Sequence, residues 1–319
     1  MIREKDGIHI ENGKYVADSR KASGDINIAS HAHMDHAFQG EGNVVCSRLT
    51  QKLLETRLDK KISRIEHEDI ELIDSGHIIG SSSALIDTGD KKILYTGDVS
   101  TRDRAYIDGF DPVEADILIT ESTYGIPAYS LPPQSHIENN IKNFVKETSS
   151  PFLFGYSLGK AQKIQWLVKQ ATDRPIIAHG SVLKMNKVVE EHTDLSFDAK
   201  PYGENKEMLR NGEGVFIGPT RFAKTDALEK LVEASNGVKA GFSGWGMTES
   251  YKYRGGYDKV FPFSDHCGFD DLVEMVRKVD PKEVYTHHGF DSEFASYLKK
   301  EEGVNARALK QNQSSLTDF

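Results

Sequence analysis

The sequence predicts an α/β protein, and three observations carry that expectation. Short apolar strands alternate with amphipathic helical stretches from end to end. Asn-Gly and Gly-Asp turns separate alternating runs in the first third. From about residue 136 the pattern becomes a repeat of strand, turn and helix. At 319 residues the chain makes one large domain or two interleaved ones, long enough to bury a substantial core.

Taken in order, IHIENGKYVAD reads as a hairpin turning at Asn12-Gly13, and ALIDTGDKKILYTGD as a second turning at Gly89-Asp90. The middle stretch sets PFLFGYS before GKAQKIQWLVKQ, RPIIAHG before a helix through Lys187 to Glu191, and GVFIGPT before TDALEKLVEAS. That repeat suits a small parallel-sheet domain of its own. Beyond residue 247 come KVFPF, the helix FDDLVEMVRKV, the strand EVYTHHG and a last helix DSEFASYLKKE.

Composition excludes several classes. Forty Lys and Arg against 49 Asp and Glu leave a net charge of -9, which argues against a protein that holds nucleic acid by bulk charge alone. No apolar run approaches the roughly 18 residues of a membrane span, and the opening MIREKDGIHI has no signal-peptide apolar region. Two cysteines, Cys46 and Cys267, are too few for a disulfide scaffold. A reducing, cytoplasmic setting is therefore expected.

The chemistry is concentrated in His31-Ala32-His33-Met34-Asp35-His36, just after the apolar segment INIAS. In extended backbone His31 and His33 project to one side and can share a metal ion. A turn after them directs Asp35 and His36 toward a second ion about 3.5 to 4 Å away, the spacing of hydrolytic two-metal sites. Imidazole and carboxylate together suit zinc, with manganese, magnesium or iron as substitutes. His77, between Gly76 and Gly80, and Asp98, at the end of ILYTG, are candidates to complete the set. His288 and its neighbour His287 compete for one place at the end of EVYTH, because period two turns only one of them inward. His266 precedes a helix, where Ser264 or Asp265 serves equally as an N-cap. Cys267 reads as a soft ligand or, more simply, a small buried thiol.

The ordered set HxHxDH, GHIIGS, TGD, ESTYG, FSDH and THHG resembles the metallo-β-lactamase superfamily and, within it, the β-CASP nucleases. The resemblance runs from Asp18 to Gly289. It implies an αββα sandwich interrupted by an inserted cap, with the first part of the sandwich over 1–128, the cap over 129–246 and the second part over 247–319. It implies one metal held by His31, His33, His77 and Asp98, and another by Asp35, His36, Asp98 and His288. Asp18 would orient these ligands from behind. Asp35, Glu121 and His266 would carry the catalysis, the last two handling the leaving-group proton.

A cationic cleft must grip substrate locally in so acidic a chain. Lys160, in the turn Ser157-Leu158-Gly159-Lys160 opening a helix, is the leading phosphate contact, with Ser157 and Ser264 as further contacts and Tyr124, Tyr156 and Trp245 as stacking surfaces. The implied partner is single-stranded DNA, RNA or both. His at the last motif position leans toward RNA in this family. The compact length, GYSLGKAQ and SGW resemble small prokaryotic DNA exonucleases, including a ligase-associated group, and favour DNA. The rivals are a thioesterase or lactonase and a catalytically silent binding subunit; the full ligand set argues against the second.

Overall fold

A computed structural model describes residues 1–309. The described chain divides into two compact units: residues 1–101, 109–130 and 266–309 form the first, and residues 102–108 and 131–265 the second.

In the first unit, six short strands form one sheet in sequence order: β1 (Arg3–Glu4), β2 (Ile8–Ile10), β3 (Tyr15–Ala17), β4 (Ile26–Ile28), β5 (Asn43–Val45) and β6 (Ser63–Ile65). β2 and β3 are the predicted hairpin, antiparallel with Ile10 opposite Tyr15, and Asn12 takes the left-handed conformation its turn requires (φ 60°). From β3 onward the sheet is parallel. Helix α1 (Arg48–Leu58) follows β5, capped by Ser47, whose side chain accepts from the Thr50 N–H. β7 (Ile70–Asp74), β8 (Ser82–Asp87) and β9 (Lys92–Tyr95) then run as an antiparallel meander, the second predicted hairpin pairing Asp87 with Lys92. β10 (Ile117–Ser122) joins β9 in parallel.

The second unit opens with α2 (Gln134–Glu147) and continues through β11 (Pro151–Gly155), α3 (Lys160–Ala171), β12 (Ile176–Ala178), α4 (Gly180–His192), β13 (Lys200–Pro201), α5 (Lys206–Arg210), β14 (Val215–Pro219), α6 (Asp226–Ala234), β15 (Val238–Phe242), α7 (Glu249–Gly255) and β16 (Lys259–Phe261). All six strands are parallel, in the order β13-β12-β14-β11-β15-β16. Helices cover both faces: α2, α3 and α4 pack on one, α5 and α6 on the other. Near-continuous apolar strands such as PFLFG and VFIGP are what a sheet buried on both sides demands.

Residues 247–265 depart from the expected boundary at 246. KVFPF does not return to the first unit; its strand β16 pairs with β15, and the Phe261 ring stacks on Phe242 at 5.3 Å. An apolar strand beside an open parallel edge finds its burial there, a tertiary preference that local composition does not carry.

The chain then completes the first unit with α8 (Phe269–Val279), β17 (Glu283–Gly289), α9 (Asp291–Glu301) and β18 (Ala306–Ala308), giving a second sheet ordered β18-β17-β10-β9-β8-β7. Alternation sorts its faces. Ile93, Tyr95, Ile117 and Ile119 meet Ile10, Tyr15, Ile28 and Val45 of the first sheet, while Leu94, Leu118 and Val284 meet α8 and α9. The result is a helix–sheet–sheet–helix sandwich with an inserted α/β unit. No helix among the described residues is long and apolar enough to cross a membrane.

Phe216 is fully buried in the second unit, its ring within 6 Å of Phe152, Phe154, Tyr202 and Phe222. Phe216→Ala should cost about 3–5 kcal/mol, read as a lower urea midpoint at unchanged slope.

Candidate functional site

The candidate side chains of the first unit follow or end strands that all run in the same direction. β3 leads to Asp18, β4 to the His31 cluster, β7 to His77 and β9 to Asp98; Glu121 lies near the end of β10 and His288 near the end of β17. Close approach of these ends needs small residues. A Cβ on Gly97 would stand 2.5 Å from the Ser30 Cβ, so only glycine lets Asp98 come beside the His31 loop. Gly76 and Gly80 bracket His77 with φ of 66° and 80°.

One ligand atom each from His31, His33, His77 and Asp98 lie within 4.8 Å of one another. Asp98 Oδ2 is 3.5 Å from both His31 Nε2 and His77 Nε2, and His77 Nε2 is 3.1 Å from His33 Nδ1. His36 Nε2 lies 3.6 Å from Asp98 Oδ1 and 3.8 Å from Asp35 Oδ2. Asp35 is exposed, and among the described residues no grouping this tight includes it or His288, but His288 acts electrostatically on both Asp35 and Asp98.

Asp18 stands behind this group. Its carboxylate accepts from the Ser30 N–H (2.7 Å), the Ser30 hydroxyl (2.6 Å), the Tyr95 hydroxyl (2.7 Å) and His36 Nδ1 (2.9 Å). The Ser30 hydroxyl also lies 2.9 Å from His31 Nδ1. With both Nδ1 atoms engaged from behind, His31 and His36 present Nε2 to Asp98. Ser30 and Tyr95 escaped the sequence reading. Their signal, a hydroxyl beside HxHxDH and another three residues before Asp98, is too common to single out.

Electrostatics favour a cation here. His31 and His77 are fully buried and Asp98 is 5% exposed, yet His31 Nε2 and Asp98 Oδ1 make no hydrogen bond. Buried polar atoms without partners are rare, and a lone pair and a carboxylate oxygen left so suit a cation. Burial, together with the neighbouring imidazoles, drives His31 well below its ordinary pKa, so it offers a lone pair. Burial, with Glu121 nearby, raises Asp98. Burial alone would lower His36, but Asp98, Asp18 and Asp35 overcome it and push it up to about 10. The residues fit a metal: nitrogen and oxygen donors converge in a dry site where a proton now balances the carboxylates.

A second group adjoins the first. His266 Nδ1 lies 2.8 and 2.9 Å from the two oxygens of Glu121, which also accept from the Val99 N–H (2.8 Å) and the Thr123 hydroxyl. Burial works against the Glu121 charge, but His266, Thr123 and Val99 outweigh it and hold the carboxyl at about 2. The His266 and His77 rings are 4.6 Å apart.

The comparisons bear on this arrangement. Residues 259–309 match the family described as the Zn-dependent metallo-hydrolase RNA specificity domain. A protein of Opitutus terrae named probable DNA ligase is 33% identical over 301 residues, covering 89% of this chain and 28% of that protein. An RNase J-like protein of Methanocaldococcus jannaschii is 28% identical, covering 83% of this chain and 81% of the relative. Together these matches indicate the metallo-β-lactamase superfamily and, within it, the β-CASP nucleases. A crystal structure of a protein of unknown function from Enterococcus faecalis superposes with a TM-score of 0.61 over 91% of this chain and 80% of the other, at 13% identity, and shares the fold. The chain spans little more than a quarter of the Opitutus protein's length.

The rivalry between His287 and His288 takes an unforeseen form. β17 pairs Glu121 with His287 but Ser122 with Gly289, so His288 sits on a bulge at φ 58°. His287 is buried, stacked on Tyr95 at 5.8 Å, and burial lowers it to about 3. Cys267 is a buried thiol pushed up to about 12 by that burial.

The expected substrate contacts need correction. Lys160 is 2% exposed, and its ammonium pairs with Asp265 at 3.0 Å, so it does not face a strand. Tyr124 is also buried, its ring 5.1 Å from Tyr129 and 6.1 Å from His266, which removes it as an exposed stacking surface. Ser264 is buried, whereas Ser157 is half-buried, its hydroxyl 2.9 Å from that of Ser181, and stays a candidate contact. Of the three aromatic candidates Tyr124, Tyr156 and Trp245, Tyr156 faces solvent, at 63% exposure.

Zinc added to chelator-treated protein should raise Tm, by an amount corresponding to about 2.7 kcal/mol at a hundredfold excess over Kd, and His31→Ala should abolish the rise. Its carboxylate neighbours push His36 up to about 10, so metal coordination through His36 would displace a proton at pH 7.5. Calorimetry in buffers of different ionisation enthalpy should record proton release that His36→Ala diminishes.

Proposed function

We propose that this protein is a two-zinc phosphodiesterase that trims single-stranded DNA ends. The observation that carries the reading is the junction of two chemistries: a dry imidazole and carboxylate cluster suited to cations, and beside it an imidazole backed by an ionised carboxylate. Ester or thioester hydrolysis has little need of the second. The alkoxide leaving a phosphodiester is strongly basic and does need a proton donor.

In this reading His31, His33, His77 and Asp98 hold one ion, and Asp35, His36, Asp98 and His288 the other. When bound, the ions supply positive charge for the phosphodiester transition state and lower the pKa of water. Asp18 fixes the tautomer and orientation of His36 and, through Ser30, of His31. Glu121 occupies His266 Nδ1 and favours its protonated form, leaving Nε2 to pass a proton to the departing sugar oxygen. Val99 and Thr123 keep Glu121 ionised for that task.

DNA as the substrate is supported by the relative named probable DNA ligase, whose 301-residue match takes in most of this chain. RNA is the second reading. It is favoured by the description of the family matched at 259–309 and by the RNase J-like relative.

Purified protein should shorten end-labelled single-stranded DNA in a metal-dependent way, faster than RNA of the same sequence, and lose the activity with chelator. His266→Ala should slow DNA cleavage by about 10²- to 10⁴-fold while zinc content stays unchanged. Metal-loaded protein that leaves both polymers intact would overturn the reading; faster cleavage of RNA would replace DNA with RNA.

A further inference from the structure

The second unit buries an ionic cluster that the nuclease reading leaves without a task. Lys163 has no exposed surface, and Lys160, Arg104 and Asp265 are at most 3% exposed. Asp265 Oδ1 lies 2.6 Å from Lys163 Nζ and 3.0 Å from Lys160 Nζ. Lys160 Nζ also donates to the Phe263 carbonyl and stands 5.0 Å from the centre of that ring. Arg104 Nη1 donates to the Ser264 carbonyl at 3.3 Å.

Three cations thus surround one carboxylate out of water. Such an arrangement is poor value as a source of stability, since apolar side chains of the same volume commonly serve as well or better. What it supplies is geometry. Phe263, Ser264 and Asp265 are consecutive, and a buried cation fixes an atom of each.

The next residue is His266. Asp265 closes the second unit and His266 opens the last segment of the first, where its ring meets Glu121. The backbone that carries the imidazole therefore leaves from a residue that cannot shift without breaking two buried ion pairs. A proton donor must sit within hydrogen-bond reach of its leaving group, and an error of about 1 Å costs roughly a hundredfold in rate.

We infer that Asp265, gripped by Lys160 and Lys163, is a positioning residue that sets the His266 backbone for proton delivery. The inference rests on the role proposed above for His266. It gives Lys160 and Lys163 an internal function in place of a grip on phosphate.

The test compares two substrates of the full-length, zinc-loaded protein. Single-stranded DNA releases a basic alkoxide that needs a proton; bis(p-nitrophenyl) phosphate releases a phenolate that does not. The ratio of DNA to aryl-ester turnover at saturation should fall about tenfold or more in Asp265→Asn, with KM for DNA nearly unchanged, and partly recover in Asp265→Glu. The double variant Asp265→Asn, Lys163→Met removes one charge of each sign and should show the same selective loss, with circular dichroism reporting folding. A merely structural role would depress both substrates equally. Ratios within about twofold of the parent protein in the folded variants, alongside a collapsed ratio in His266→Ala, would overturn the inference and leave the nuclease reading standing. An unchanged ratio in His266→Ala would remove the proton-donor role and the inference with it. Failure of every Asp265 variant to fold would also overturn it, by making the cluster part of the core.

Discussion

Asp98 is the group on which the first unit's chemistry depends. Its carboxylate is nearly sealed from water, 3.5 to 3.6 Å from the Nε2 atoms of three histidines. Its Oδ1 makes no hydrogen bond, and water scarcely screens it. A proton on His36 balances part of the charge, and a dication balances more. Folding therefore assembles an electrostatic deficit that selects positive charge, with the stability of the surrounding sandwich holding it in place.

The sandwich manages this because its strands run the site residues to a common edge, and because the orienting groups come from separate strands. Asp18 alone ties the end of β3 to Ser30 after β4, to Tyr95 on β9 and to His36. A hydroxyl or imidazole lost from that set leaves a buried carboxylate with one donor fewer. Glu121 plays the corresponding part for His266, held by a backbone N–H and a hydroxyl so that its own geometry is not negotiable. Both carboxylates act by fixing which imidazole nitrogen faces the chemistry.

Features decided by local sequence were legible before any coordinates. The two hairpins follow from Asn12-Gly13 and from the turn at Gly89; the parallel sheet of the second unit follows from apolar strands such as PFLFG set before helices. The gathering of His31, His33 and His36 follows from six consecutive residues at a strand's end. What could not be read depends on partners distant in sequence. The bulge that gives His288 its own direction arises from the pairing of β17 with β10. KVFPF joined the second unit because β15 offered an open edge. Lys160 opens a helix after a glycine turn, the local signature of a phosphate contact, but Asp265, 105 residues later, takes its charge.

That last reassignment changes how a chain of net charge -9 must meet a polyanion. With Lys160 and Lys163 internal, the cations of the second unit that face solvent include Lys184, Lys187, Arg221, Lys224 and Arg254. Long-range attraction of the kind that concentrates basic proteins on nucleic acid is absent from such a charge balance, since each neutralised phosphate adds to affinity only through a local cation. On the reading proposed above, selectivity would then come from chemistry at the cleaved bond, from cations at the Asp98 cluster and a proton at His266. On that reading a protein of this charge balance would hold a strand where it cuts and let go elsewhere, which suits an enzyme better than a coating protein.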